Sequence, residues 1–437
     1  MGNFFGKDCP DVNKKPTKRP GGVGWKPPAA GDDLRAAARS TSSGNFGKAK
    51  LNPKDFIVSK KQKEVVVREP GSIGGQQFIV EECSECDVYL LDHTAALNID
   101  LCTDCRIFTG PCESSAFIRD CKDCTVVVAC QQFRTRDCQN CTFFLFSATQ
   151  PVIESSLGLR FACYTLDYFS LAGQFAAAKL SVWNNKWSQV YNFTGGGEGD
   201  WSCLPEGSHH SRDFTTNSLP EAARQRAGYT DNTHGAVVPI TAGVRDFVAT
   251  EETCFIVVMP GHIDAVLGKL LAVGGGGDSP LAATTSRLLR TKLFRPQTAQ
   301  SKPFFSGAPS YMAELASSSP VLGMQWAGPG STEAAVSLLA AAGVSVPPSP
   351  VTPLPQKQPP TAGGRKKGGK GKGDDANHAA AAAPGEERPV GTGEYYMTSG
   401  SGIGGGTGSS SSEASAAKAK IFFEQWEEDK CMPVGKS

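Results

Sequence analysis

The chain has 437 residues, more than one hydrophobic core usually fills, so two domains joined by linkers are expected. Lysine plus arginine (44) nearly cancels aspartate plus glutamate (43), leaving a formal charge of +1 and excluding a global electrostatic case for nucleic acid as partner. No apolar run approaches the roughly 18 residues of a membrane span, and Met1 precedes polar and basic residues rather than an apolar signal core; a cytosolic protein, or one held at a cytosolic membrane face, is expected. In that compartment the 15 cysteines need an explanation other than disulfides.

Residues 1–50 are rich in Pro, Gly and Lys without periodicity, which predicts a disordered arm. Gly2 followed by Asn3, Phe4, Phe5, Gly6 and Lys7 resembles an N-myristoylation sequence, with Gly6 where Ser or Thr is preferred. One acyl chain binds membranes only marginally, so a second signal is needed. Cys9 is a candidate second acylation site, and Lys7, Lys14, Lys15, Lys18 and Arg19 are a candidate electrostatic one at about 1 kcal/mol per charge. The alternative is a solvated basic tail.

From 51 to 205 the chain repeats. C-x-x-C units begin at Cys83, Cys102, Cys121 and Cys138. Taken literally, Cys102, Cys105, Cys121 and Cys124 satisfy a zinc spacing. A zinc site, however, requires only its ligands to recur, and here the flanks recur too. Val88 and Leu90, Ile107 and Thr109, Val126 and Val128, Phe143 and Leu145 occupy equivalent places with the period of a strand. Short strands and turns repeated in this way predict a parallel β-helix. Its cysteines then stack as a buried column, with no metal required. An acidic residue precedes the first cysteine at Glu82, Asp120 and Asp137, with Leu101 as the exception.

Alignment on that first cysteine places Ile79, Asn98, Phe117 and Arg134 at one position. The related stretches GQQFIVEE (75–82) and CQQFRTRD (130–137) differ there by an isoleucine against an arginine. A guanidinium on a sheet face must reach water or an acidic partner, so Arg134 either pairs with Asp137 or Glu154 or stands ready for another molecule.

Residues 206–244, with His209, His210, Arg212 and Asp213, form a connecting segment. From 245 to 345, strand-like and helix-like stretches alternate, predicting a small α/β domain. Residues 346–412, including the basic tract Arg365 to Lys372, are linker in composition. Residues 413–437 predict a short helix with Ile421, Phe422 and Trp426 on one side.

The stretches PGSIGGQQFIVEEC (70–83), CQQFRTRDC (130–138), ATQPVIESS (148–156) and LSVWNNKWSQVYNFT (180–194) together resemble the tubulin-binding cofactor C domain. The resemblance implies a mainly β fold: a right-handed parallel β-helix, then a ferredoxin-like α/β domain resembling nucleoside diphosphate kinase, between a disordered arm and tail. It implies a GTPase-activating protein for an Arf-like small GTPase in its GTP state. Arg134 matches the arginine finger, with Gln132 as its catalytic neighbour. Gln131, Arg136, Glu154 and Phe193 match partner-binding positions. GTP and magnesium would belong to the partner, and the chain would have no cofactor of its own and would be no enzyme. The role implied is trafficking of lipidated proteins at the plasma membrane and at the base of a cilium or flagellum. Two alternatives stay open. One is a tubulin-folding cofactor acting on β-tubulin, although residues 1–50 do not resemble the helical N-terminal region of such cofactors; the other is a zinc-binding scaffold. His262 is the one histidine of the α/β segment, and no kinase motif surrounds it, so no nucleoside diphosphate kinase activity is expected.

Overall fold

The structure, a computed structural model, describes residues 52–195, 197, 199–204, 220–227, 237–244, 252–273, 286–306, 308–344, 395–400 and 417–425. Gly2, Cys9 and the rest of the arm, residues 209–213, the basic tract 365–372 and Trp426 lie outside the described residues.

From Ile57 the chain winds as a parallel β-helix. Its strands are β1 (Ile57–Ser59), β2 (Val65–Arg68), β3 (Phe78–Glu81), β4 (Asp87–Leu90), β5 (Leu97–Asp100), β6 (Arg106–Arg119), β7 (Thr125–Arg136), β8 (Thr142–Ser147), β9 (Val152–Glu154), β10 (Leu159–Cys163), β11 (Tyr191–Asn192) and β12 (Trp201–Cys203). One face stacks β1, β3, β5, the later parts of β6 and β7, β9 and β11, in parallel register. The other face stacks β2, β4, the earlier parts of β6 and β7, β8, β10 and β12. Strands β6 and β7 run through the corner between the faces, and their register shifts there, between Phe108 and Pro111 and between Cys112 and Ser115.

Each C-x-x-C segment makes the tight side of a coil. The residue before each cysteine has a positive φ: 52° at Glu82, 53° at Glu85, 55° at Leu101, 52° at Asp104, 52° at Asp120, 55° at Asp123, 54° at Asp137 and 52° at Asn140. Two left-handed corners therefore flank one bridged residue in the row Gln62, Ser84, Thr103, Lys122, Gln139, Leu157. Asp and Asn adopt this conformation more readily than most other non-glycine residues, which accounts for much of the polar pattern seen before the cysteines.

The cysteines point inward and are buried. Each thiol donates to the carbonyl two residues earlier, as in Cys102 to Asp100 O (3.4 Å), Cys105 to Thr103 O (3.3 Å) and Cys121 to Arg119 O (3.2 Å). In the last coil Ser156 takes over, donating to Glu154 O (2.8 Å) and accepting from Cys138 N (3.1 Å). Among the described residues no group of three or more His, Cys, Asp or Glu is placed to hold a metal.

Above the column, Val88, Ile107, Val126, Phe143 and Phe161 stack in register, all fully buried. Burying each such side chain contributes about 1.5–3 kcal/mol. The other side of this sheet is also covered: Phe146 and Tyr164 pack edge-on against Phe175 of helix α1 (Leu171–Ala177). Ala223 of α2 (Glu221–Ala227) and Val238 join the same cluster. Covered on both sides, β8 is apolar nearly throughout rather than alternating.

The second domain is a four-stranded antiparallel sheet of β13 (Thr253–Val258), β14 (Arg287–Phe294), β15 (Val321–Ala327) and β16 (Tyr395–Gly400), in the order β14-β15-β13-β16. With α3 (Ile263–Val273), α4 (Thr298–Phe304), α5 (Ser310–Ser318) and α6 (Ser331–Ala341), this is the expected ferredoxin-like order. His262 stands just before α3. One boundary is corrected: residues 395–400, read as linker within 346–412, are the fourth strand, paired with β13 along its whole length. A strand is stabilised by its neighbours, and glycine- and serine-rich flanks hide a short one from local composition. A helix over 417–423, here α7, packs Phe422 and Phe423 against Phe255. The buried Lys292 Nζ donates to Phe422 O (3.1 Å) and Phe423 O (3.3 Å).

Candidate functional site

On the face carried by β5, β6, β7 and β9, side chains alternate inward and outward. Along β7, Phe133 and Thr135 are buried, while Gln132, Arg134 and Arg136 are exposed. Arg134 thus projects from a regular strand, not from a loop. Its register row runs Ile79, Asn98, Phe117, Arg134, Val152, Tyr191, which carries the four-residue alignment read from the repeats directly into space.

Three other arginines of the coils, Arg106, Arg119 and Arg136, lie against acids, whereas Arg68 donates to the carbonyls of Asp55 and Val67 and Arg160, on the other sheet face, has no acidic partner among the described residues. Arg106 forks onto Asp87 through Nε and Nη2. Arg119 does the same to Asp100, at 2.7 Å for both Nε to Oδ1 and Nη2 to Oδ2. In both pairs the acid is the register partner one coil earlier, and hydrogen bonding to that carboxylate raises the guanidinium pKa. Arg136 Nε lies 3.1 Å from Asp137 Oδ2. Arg134 has Phe117 and Val152 as register partners, neither able to accept a hydrogen bond from its guanidinium. Among the described residues its guanidinium makes no hydrogen bond or ion pair, with Asp137, Glu154 or any other group.

The remaining sequence candidates gather around it. Gln132 Oε1 accepts from Ser115 Oγ at 3.4 Å, its register neighbour. Glu154 is the register partner of Arg136 and exposes its carboxylate. Phe193 follows β11, donates its N–H to Ile153 O at 2.8 Å, and is 67% exposed. Gln131 is half-buried, and its carbonyl accepts from Thr149 N (3.0 Å) and Oγ1 (2.9 Å), a supporting contact behind the face. Two flanking aromatics were missed: Phe117 (36% exposed) and Tyr191 (51%), the latter in the Arg134 row and two residues before Phe193. The signal was present in the repeat alignment, where Phe117 was read as scaffold. The result is a flat sheet face with an unclaimed cationic fork among exposed aromatics, a composition suited to docking another protein and presenting a charge to it.

Comparison with known proteins gives a matching family model, "Tubulin binding cofactor C", over residues 75–193. Protein XRP2 of Danio rerio is 36% identical over 348 residues, covering 76% of this chain and 89% of that protein. The chain belongs to the tubulin-binding cofactor C family. Its family-matched residues begin at the turn before β3 and end at Phe193, so the whole Arg134 row, from Ile79 to Tyr191, lies within them. Tubulin-specific chaperone C of Homo sapiens is 28% identical over 152 residues, 34% of this chain and 44% of that protein. Among solved structures, Tubulin Binding Cofactor C from Leishmania major matches 28% of this chain and 86% of its own, at 24% identity and a TM-score of 0.26.

Proposed function

We propose that this family member is a GTPase-activating protein for an Arf-like small GTPase in its GTP state, and that Arg134 is the arginine finger it supplies in trans. The observation that carries the reading is the free guanidinium of Arg134 on a ladder whose neighbouring arginines are tied to acids. During GTP hydrolysis negative charge grows on the phosphate oxygens, and a permanently charged, forked donor aimed at them lowers the barrier. GTP and its magnesium belong to the partner. Gln132 hydrogen-bonds the partner's loops beside the finger. Arg136, Glu154 and the backbone-braced Gln131 meet the rim of the GTPase, and Phe193 docks against it.

In the cell this activity would release lipidated cargo by switching off the GTPase, at the cytoplasmic face of the plasma membrane and the base of a cilium or flagellum. An acyl group on Gly2, with Cys9 or the basic cluster of the arm as second signal, would hold the protein there. The test is single-turnover GTP hydrolysis by a panel of GTP-loaded Arf-like GTPases. Stimulation of one of them, reduced by about three orders of magnitude in Arg134→Ala, is expected; stimulation unchanged by that substitution overturns the reading. The similarity to Tubulin-specific chaperone C favours a second reading, in which the same finger acts on tubulin. Pull-downs comparing GTP-loaded GTPases with tubulin separate the two.

A further inference from the structure

The segment 183–188 joins the two domains through adjacent residues. Asn185 belongs to the β-helix: its Oδ1 accepts from Ser147 N and from Trp187 N, both at 3.1 Å, and its Nδ2 donates to Leu145 O at 3.3 Å. Asn184 belongs to the second domain. Its Oδ1 accepts from Leu293 N at 2.7 Å and its Nδ2 donates to Leu293 O at 3.3 Å, so its amide behaves as a one-residue strand on the edge of β14. Thr291 Oγ1 donates to Trp183 O at 2.7 Å, and the Trp183 ring is buried in the core of the second domain.

A second strap runs alongside. Ala242 N and Gly243 N donate to Leu288 O (2.8 Å) and Leu289 O (3.1 Å) of β14, while Trp187 Nε1 donates to Thr241 Oγ1 at 3.0 Å. Gly243 has a φ of +83°, and a Cβ there would lie 2.7 Å from Ser188 Cβ and 2.9 Å from Trp187 Cζ2. No side chain fits between the straps.

This rivet leads straight to the Arg134 face. Lys186 N donates to Ser147 O (2.8 Å), Ser147 Oγ to Thr149 O (2.8 Å), and Thr149 to the Gln131 carbonyl. A few residues beyond Trp187, Tyr191 and Asn192 pair with Val152 and Ile153, next to Arg134 and Thr135. Two of the aromatics beside the finger, Tyr191 and Phe193, are therefore carried by the chain segment that the second domain clamps.

We infer that the second domain is a positioning element, and that Asn184 and Thr291 set the Tyr191–Phe193 ledge at a fixed distance from Arg134. Resting on the activator reading, this makes the ledge dock the GTPase while its rigidity decides whether the guanidinium lands on the phosphates. A loosened ledge still binds, but in poses that misplace the finger, and misplacement by an ångström costs up to about a hundredfold in rate.

The experiment uses full-length Asn184→Ala, Thr291→Val and Thr291→Ser, with Arg134→Ala as reference. The first readout needs no partner: amide hydrogen exchange at Tyr191 and Phe193, whose N–H groups donate to Pro151 O and Ile153 O. Exchange about tenfold faster in Asn184→Ala and Thr291→Val, and near wild type in Thr291→Ser, is expected; unchanged protection overturns the inference. The second is single-turnover hydrolysis as activator concentration rises. Asn184→Ala and Thr291→Val should lower the maximal rate about tenfold while shifting the half-saturating concentration less than about threefold, and Thr291→Ser should restore the rate. A full maximal rate in both, with Arg134→Ala inactive, overturns the inference and leaves the activator reading standing. An active Arg134→Ala sinks the activator reading alone, because the exchange result stands by itself. If Asn184→Ala fails to fold, the near-isosteric Thr291→Val decides.

Discussion

Arg119 closes on Asp100 through two 2.7 Å hydrogen bonds because the two residues face each other in register across β5 and β6. Arg134 faces Phe117 across β6 and β7 in the same sense. Phe117→Asp would place an acid where Asp100 stands for Arg119. An ion pair at such an exposed site is worth up to about 1 kcal/mol, enough to hold the guanidinium back in about four-fifths of the molecules. Stimulated hydrolysis by Phe117→Asp should fall about fivefold below that of Phe117→Asn, which shares the lost ring without the charge, and the gap should close in high salt. Equal rates at low salt would show that Arg134 is not captured in this way.

Charge alone is not what the finger reading asks of Arg134. Lysine keeps the cation but loses the planar fork, so Arg134→Lys should lie close to Arg134→Ala, each lowering the stimulated rate by about three orders of magnitude or more. Binding of the GTP-loaded partner, measured separately, should weaken far less. A lysine variant near wild-type rate would mean that position 134 supplies only electrostatic attraction.

Leu101 is 55% exposed and holds a φ of 55°, a conformation that costs about 1–2 kcal/mol for an ordinary side chain and less for asparagine. Leu101→Asn should raise unfolding stability by about 0.5–1 kcal/mol, read as a higher denaturant midpoint at unchanged slope. A fall in the midpoint would show that the leucine packs rather than strains.

Gly323 lies beneath the Phe422 ring, and a Cβ there would clash with Phe422 Cε1. Gly323→Ala should displace α7 and expose residues 417–423 to protease, and Phe422→Ala should cost about 3–5 kcal/mol through the cavity it leaves. The buried Lys292 loses its carbonyl partners at Phe422 and Phe423 in either variant if α7 departs. Proteolysis at the wild-type rate in both would place the docking energy elsewhere.

Much of the β-helix was legible in residue spacing, because coils of nearly constant length put like residues above one another: cysteines over cysteines, and Val88 over Ile107, Val126 and Phe143. Acid-rich corners were visible too, though only the left-handed backbone at Glu82, Asp120 and Asp137 gives them a reason. Strand β16 and the place where α7 docks were not legible, since each is made stable by residues far away in the chain. The same holds for the hold of Asn184 on Leu293, which spans 109 positions.

By itself, then, the order of residues determined the coil, its thiol column and the one place where arginine interrupts an apolar and amide row. Whether that arginine would be bound or free was decided only in three dimensions. Asp137 is close in sequence and Glu154 only one coil away, yet Asp137 is taken by Arg136, and the register between coils gives Asp100 to Arg119 and only Phe117 and Val152 to Arg134. A cation stacked between apolar neighbours keeps its hydrogen-bonding capacity for whatever docks on the face.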